Sequence, residues 1–175
     1  MAGLVLPTPR AGADLLGKDL GALLPTRVLG APIEFGDARA TLLRFWTDTC
    51  PFCARSLPAI ETLRERHAAD GLATLAIYHP KPPRPVTDEA IAEAATRLGY
   101  GGPVAIDEAW QSLEAVWPSA LGRRATSVSL LCDSDGIVRY VHPGPEFHPS
   151  EDPEHRQCDT DFRDLEQAIE VLLQR

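Results

Sequence analysis

Ala40-Thr41-Leu42-Leu43-Arg44-Phe45-Trp46, then Thr47-Asp48-Thr49, then Cys50-Pro51-Phe52-Cys53 is the stretch on which the fold turns. The seven-residue run is mostly apolar and ends on two aromatics, as a strand buried on both faces does. The polar residues after it read as a turn. From Cys53 the period changes. Leu57, Ile60, Leu63 and His67 recur at spacings of three and four, leaving Glu61, Arg64 and Glu65 for solvent, which predicts a helix ended by Gly71. Two cysteines thus stand where a buried strand passes into a helix. Unpaired backbone N–H groups and the helix dipole favour an anion there, so Cys50 should gain thiolate character. Cys53, one turn later, should be more buried and less acidic. Cys50 would attack a disulfide and Cys53 would resolve the mixed disulfide. Pro51 suits a first turn because its missing N–H would be unpaired anyway. Phe52 adds apolar surface beside the sulfurs.

Working outward, Leu72 to Tyr78 reads as a second buried strand and Pro80 to Pro85 as a loop. Thr87 caps a helix holding Ile91 and Leu98 that stops near Gly99. Pro103 to Ile106 reads as a short strand and Glu108 to Trp117 as a helix. Val128–Cys132 and Ile137–Val141 are two strands joined by Asp135-Gly136, a strong hairpin signal. Residues 143–160 read as a proline- and acid-rich loop inserted before a last helix from about Asp161, where Phe162, Leu165, Ile169 and Leu172 share one face. Upstream, residues 1–25 form an arm rich in Gly, Pro and Leu, and Val28 to Phe35 a short strand interrupted by Pro32. The expected organisation is an arm at 1–25 and one domain at 26–175. Its class is α/β, a mixed central sheet flanked by helices: early alternation makes parallel strands, and the late hairpin adds antiparallel ones.

The chain has 175 residues, 44% hydrophobic and 24% charged, ordinary for a globular domain. A net charge of −8 with no cluster of Lys and Arg argues against nucleic acid as a partner. No apolar run is long enough to span a membrane. The first residues lack the pattern of a signal peptide, which points to a cytoplasmic location, with a periplasmic or exported one open if the chain has been trimmed. Four cysteines, at 50, 53, 132 and 158, are too sparse for a disulfide scaffold and point to redox or metal chemistry.

Phe45-Trp46-Thr47-Asp48-Thr49-Cys50-Pro51-Phe52-Cys53 resembles the active-site segment of thioredoxin-like proteins, especially the TlpA and redoxin (AhpC/TSA-related) group. Pro58 falls five residues after the second cysteine, where thioredoxins carry a helix-kinking proline. Leu130 to Val138 resembles that group's strand–turn–strand. The likeness covers roughly residues 28–142 together with the final helix. It implies a thioredoxin-like fold and a thiol–disulfide oxidoreductase that needs no organic cofactor. Its substrate would be a protein or small-molecule disulfide, and its reductant a thioredoxin reductase or glutathione system. Trp46 matches the group's first active-site aromatic; Thr49 replaces the second. Thr126 and Ser127 would line the substrate face.

Two residues depart from the pattern. Ser127 stands where the group has a cis-proline facing the cysteines. A cis bond before serine costs about 2.5–4 kcal/mol, so Thr126–Ser127 is either trans or held cis by tertiary constraint. Metal binding at the cysteines is then less excluded. Arg44 replaces a buried aspartate that accepts a proton from the second cysteine. Arginine cannot accept one, though a cation could favour a thiolate. The bland alternative pairs Arg44 with a carboxylate away from the sulfurs.

Two other functions remain open. Thr47-Asp48-Thr49-Cys50 matches part of the peroxiredoxin signature, with Arg124 in place of its arginine; the signature's proline would fall at Leu43. That reading makes Cys50 a peroxidatic thiol. The second is a non-catalytic metal- or cluster-binding module. No metal is expected from the remaining ligand types: His142, His148, His155 and Cys158 match no zinc spacing, and their loop reads as solvated. Cys158 could be an extra resolving thiol. Cys132 reads as a small buried hydrophobe, and His79 as a strand-end residue without chemistry.

Overall fold

The structure, a computed structural model, describes residues 5–175. Its regular elements are β1 (Val28–Leu29), β2 (Ala40–Trp46), α1 (Cys53–His67), β3 (Leu72–Tyr78), α2 (Asp88–Arg97), β4 (Val104–Ile106), α3 (Gln111–Val116), β5 (Ser129–Asp133), β6 (Val138–His142) and α4 (Arg156–Leu173). They form one six-stranded mixed sheet in the order β1-β4-β3-β2-β5-β6. β2, β3 and β4 are parallel neighbours, while β1, β5 and β6 pair antiparallel. This is the expected α/β architecture, flanked by helices.

All seven residues of β2 are buried, which is why its sequence shows no alternation. Its side chains still alternate in direction. Leu42 and Trp46 join the core cluster with Cys53, Leu57, Ile60 and Leu63 of α1 and Leu165, Ile169 and Leu172 of α4. Leu43 and Phe45 join the cluster on the other face with Leu113, Val116 and Trp117. Arg44 follows the parity of Leu42 and Trp46, so it enters the sheet face that carries the cysteines.

Several boundaries differ from those expected. α4 begins at Arg156, five residues before Asp161. The Asp152 side chain accepts the N–H of Glu154 and Pro153 opens a 3-10 turn that runs into the helix, so the loop ends by 152. β1 keeps two residues, because Gly30 turns away with a φ of +91°. α3 is shorter than 108–117 because Asp107 accepts the N–H groups of Ser112 and Leu113 and sets its start. β5 and β6 each sit one residue later than read, with Gly136 in the turn at a φ of +79°. Residues 1–4 of the expected arm lie outside the described residues. The rest packs on the sheet: Leu15 and Leu20 are buried, and the N–H groups of Gly17 and Leu20 bond the carbonyls of Val138 and Gly136. Among the described residues no helix is long and apolar enough to cross a membrane.

Candidate active site

Cys50 sits in the turn between β2 and α1, and Cys53 opens the helix. Neither is in a disulfide. Cys50 is partly exposed beside exposed Pro51 and Phe52, the latter 42% accessible, whereas Cys53 is fully buried. The Cys53 thiol donates to the Cys50 sulfur and, with the backbone N–H groups of Cys53 and Phe52 and the Ser127 hydroxyl, pulls the Cys50 thiol down to about 5, against the opposing effect of burial. The same bond to Cys50, then burial, pushes the Cys53 thiol up. One thiolate and one thiol therefore share a proton-saving contact, with the charge on the accessible sulfur.

Ser127 brings a hydroxyl to both sulfurs. Its Oγ lies 3.2 Å from Cys53 Sγ and 3.8 Å from Cys50 Sγ. Among the described residues the cis peptide bonds are Lys81–Pro82 and Gly144–Pro145, so Thr126–Ser127 is trans. Thr126 is half-buried next to it. Gly144 approaches so closely that a Cβ there would lie 2.4 Å from the Ser127 carbonyl oxygen.

Arg44 does not pair with a carboxylate. It is fully buried, and its guanidinium donates to the Ser127 carbonyl (2.7 Å), the Ser129 hydroxyl (3.3 Å) and the Pro145 carbonyl (2.7 Å). Burial lowers the Arg44 pKa, while the negative potential of Cys53 and Cys50 supports its charge. In return the cation favours ionisation of Cys53. Phe147 covers the guanidinium at 5.4 Å, and its N–H bonds Ser56 Oγ on α1. Trp46 is wholly buried below, edge-on to Tyr78 at 5.1 Å. Arg124 is exposed, so the guanidinium at the sulfurs belongs to Arg44.

Among the other candidates, Cys132 is a buried thiol in β5, and burial pushes its pKa up to about 12. His79 is fully buried with neither ring nitrogen hydrogen-bonded. His142 donates to or accepts from Asp161 at 2.7 Å, and Arg10 of the arm grips the same carboxylate at 2.6 and 3.0 Å. His148, His155 and Cys158 are brought together, with Glu146 as a fourth member that no sequence spacing pointed to.

A family model described as Redoxin matches residues 30–157. Among curated proteins the chain is 26% identical over 115 residues to protein DipZ of Mycobacterium tuberculosis, covering 65% of this chain and 16% of that protein. It is 24% identical over 108 residues to the thiol-disulfide oxidoreductase ResA of Halalkalibacterium halodurans, covering 62% and 56%. The chain thus spans little more than half, or far less, of these relatives' length. Among solved structures, a hypothetical protein of Sinorhizobium meliloti 1021 superposes with a TM-score of 0.62 at 25% identity, covering 86% of this chain and 84% of that one. A thiol:disulfide interchange protein of the thioredoxin family from Chlorobium tepidum superposes at 0.58 with 17% identity, covering 86% and 96%.

Proposed function

The chain belongs to the Redoxin family, and from that premise we propose that it is a thiol–disulfide oxidoreductase that reduces disulfides of protein or small-molecule partners through Cys50 and Cys53. The observation that carries this reading is the asymmetry of the pair: an accessible sulfur held as thiolate at the start of α1, over a buried sulfur held as thiol. The Cys50 thiolate attacks one partner sulfur, forming a mixed disulfide and releasing the other as a thiolate. Cys53 loses its proton to that leaving thiolate and attacks Cys50 Sγ. The partner's second sulfur leaves as a thiolate and takes a proton from solvent, so the partner ends as a dithiol and the protein holds a Cys50–Cys53 disulfide, oxidised by two electrons. Arg44 favours the Cys53 thiolate as it forms. Exposed Phe52 offers the partner an apolar contact beside the attacking sulfur. An external reductant, of the thioredoxin reductase or glutathione type, restores the dithiol. In the cytoplasm expected from the sequence, reduction of the partner is the downhill direction.

The test is to express Cys53→Ser in cells and identify what is held on Cys50. Mixed disulfides with discrete proteins or low-molecular-weight thiols support the reading. No adduct on Cys50, together with no dithiol exchange by the wild-type chain, rejects it. The same variant separates the peroxidase: peroxide consumption with a sulfenate at Cys50 would favour that activity instead. The exposed position of Arg124 argues against it. One equivalent of metal removed from the Cys50–Cys53 pair by chelator would favour a binding module.

A further inference from the structure

We propose that Glu146, His148, His155 and Cys158 form a zinc site, separate from the redox cysteines, that ties the loop after β6 to the start of α4. One ligand atom from each of the four lies within 4.8 Å of all the others. His148 Nε2 is 2.9 Å from Glu146 Oε1, His155 Nδ1 is 4.0 Å from the same oxygen, and Cys158 Sγ is 3.8 Å from His155 Nδ1. A tetrahedral zinc with bonds of about 2.0–2.3 Å keeps its ligands roughly 3.3–3.8 Å apart, so small side-chain rotations close the cage. Two imidazoles, a thiolate and a carboxylate are the donor set that zinc takes.

A second observation points the same way. His148 Nδ1 bonds the Pro149 carbonyl at 3.0 Å, which requires the proton on Nδ1. In the neutral ring the lone pair is then on Nε2, which is buried and lies 2.9 Å from a carboxylate oxygen without the geometry of a hydrogen bond. A histidine that donates its far nitrogen to a backbone carbonyl is oriented as metal ligands are. The backbone is braced around the cluster: the His148 N–H bonds the Cys158 carbonyl and the Ser150 N–H bonds Asp159. His155 and Cys158, three residues apart where the 3-10 turn enters α4, face the same way. Arg55 of α1 donates to Glu146 Oε1 at 3.0 Å. That is the oxygen that also faces both histidines, so zinc on Oε1 would displace Arg55 to Oε2. Zinc takes Cys158 as thiolate, and the thiol proton passes to solvent.

The test uses the full chain with Cys50→Ser and Cys53→Ser, and in parallel the wild-type chain with Cys50–Cys53 oxidised, so that the redox sulfurs cannot bind metal. Both should take up one equivalent of zinc. Cobalt(II) in its place should show the visible bands of a tetrahedral ion and a sulfur-to-cobalt charge-transfer band. Cys158→Ala should abolish the charge-transfer band, and His148→Ala or His155→Ala should weaken zinc binding by more than the roughly 10–100-fold that losing an outer-sphere partner costs. Cobalt that stays octahedral in both parent proteins overturns the proposal. So does a charge-transfer band that survives Cys158→Ala.

Discussion

Arg44 is a guanidinium taken wholly out of water with no carboxylate to meet it, and such a group stays folded only where other dipoles replace its hydration. Two carbonyls, one hydroxyl and the Cys50 thiolate do so for its two terminal nitrogens, while Nε is left without a partner. Arg44→Met would leave the Ser127 and Pro145 carbonyls without their donor. We predict a loss of about 2–4 kcal/mol in urea unfolding, and slower closure of the Cys50–Cys53 disulfide in stopped-flow assays. Arg44→Lys should recover only part, since an ammonium cannot reproduce the planar fork. Equal stability of Arg44→Met and wild type would contradict this account. Ser127 contributes through its hydroxyl, one of the groups that pull the Cys50 thiol down. Ser127→Ala should leave the fold intact and move the midpoint of Cys50 alkylation against pH upward. An unmoved midpoint would show that the hydroxyl does not support the thiolate. The sequence already marked both residues as departures from the thioredoxin pattern. Their partners were not legible, because a side chain's company depends on strands far apart in the chain.

The loop after β6 and the start of α4 carry the element-scale argument. Gly144 has a φ of +81°, and a Cβ there would strike the Ser127 carbonyl. Gly144→Ala therefore combines left-handed backbone strain of about 1–2 kcal/mol with a clash against backbone. It should lower the urea midpoint more than an alanine replacing an exposed glycine such as Gly17, which has open space around it. Equal losses at the two sites would mean that the Ser127 loop simply yields. Sequence periodicity located β2, β3, α2 and the start of α1 to within a residue or two, because burial and capping act over a few residues: Thr87 accepts the Ala90 N–H as its type and position implied, whereas α1 stops at His67 and Gly71 caps the 3-10 turn that follows. It misplaced the start of α4 because residues 153–160 are polar and show no apolar face, and the cap at Asp152-Pro153 was read as part of a loop.

Over the whole molecule, buried histidines make stability depend on pH. His79 lies among Phe45 and Trp110 with both nitrogens unpaired, and burial, then the charges of Lys81 and Arg44, pulls its pKa to about 3. Burial also lowers His142, with Asp161 acting the other way. Between about pH 6.5 and pH 3 the unfolded chain binds a proton at His79 that the folded chain refuses. Stability should therefore fall on acidification, by on the order of 1.4 kcal/mol per pH unit for that residue. Asp161, held below the usual carboxylate range chiefly by its bond to His142 and then by Arg10 against its own desolvation, loses its contribution as pH drops below about 3.8, in the same direction. His79→Leu should match or exceed the wild type in urea unfolding at pH 7 and gain further at pH 5, since an apolar group replaces an unpaired polar one. A parallel fall of both proteins with pH would exclude His79 as a source. The sequence by itself determined the buried strand, the cysteines at the mouth of a helix and the α/β order, because periodicity, caps and turn chemistry are short-range properties. Only the tertiary structure decided that Ser127 stands over both sulfurs, that Arg44 reaches it, and that Glu146 meets two histidines and a cysteine. The antiparallel register that sets Arg44 opposite Ser129 places the first two, and the docking of the loop after β6 on α4 places the third. Those contacts follow from how β2, β5, β6 and α4 pair and pack, which no local pattern encodes.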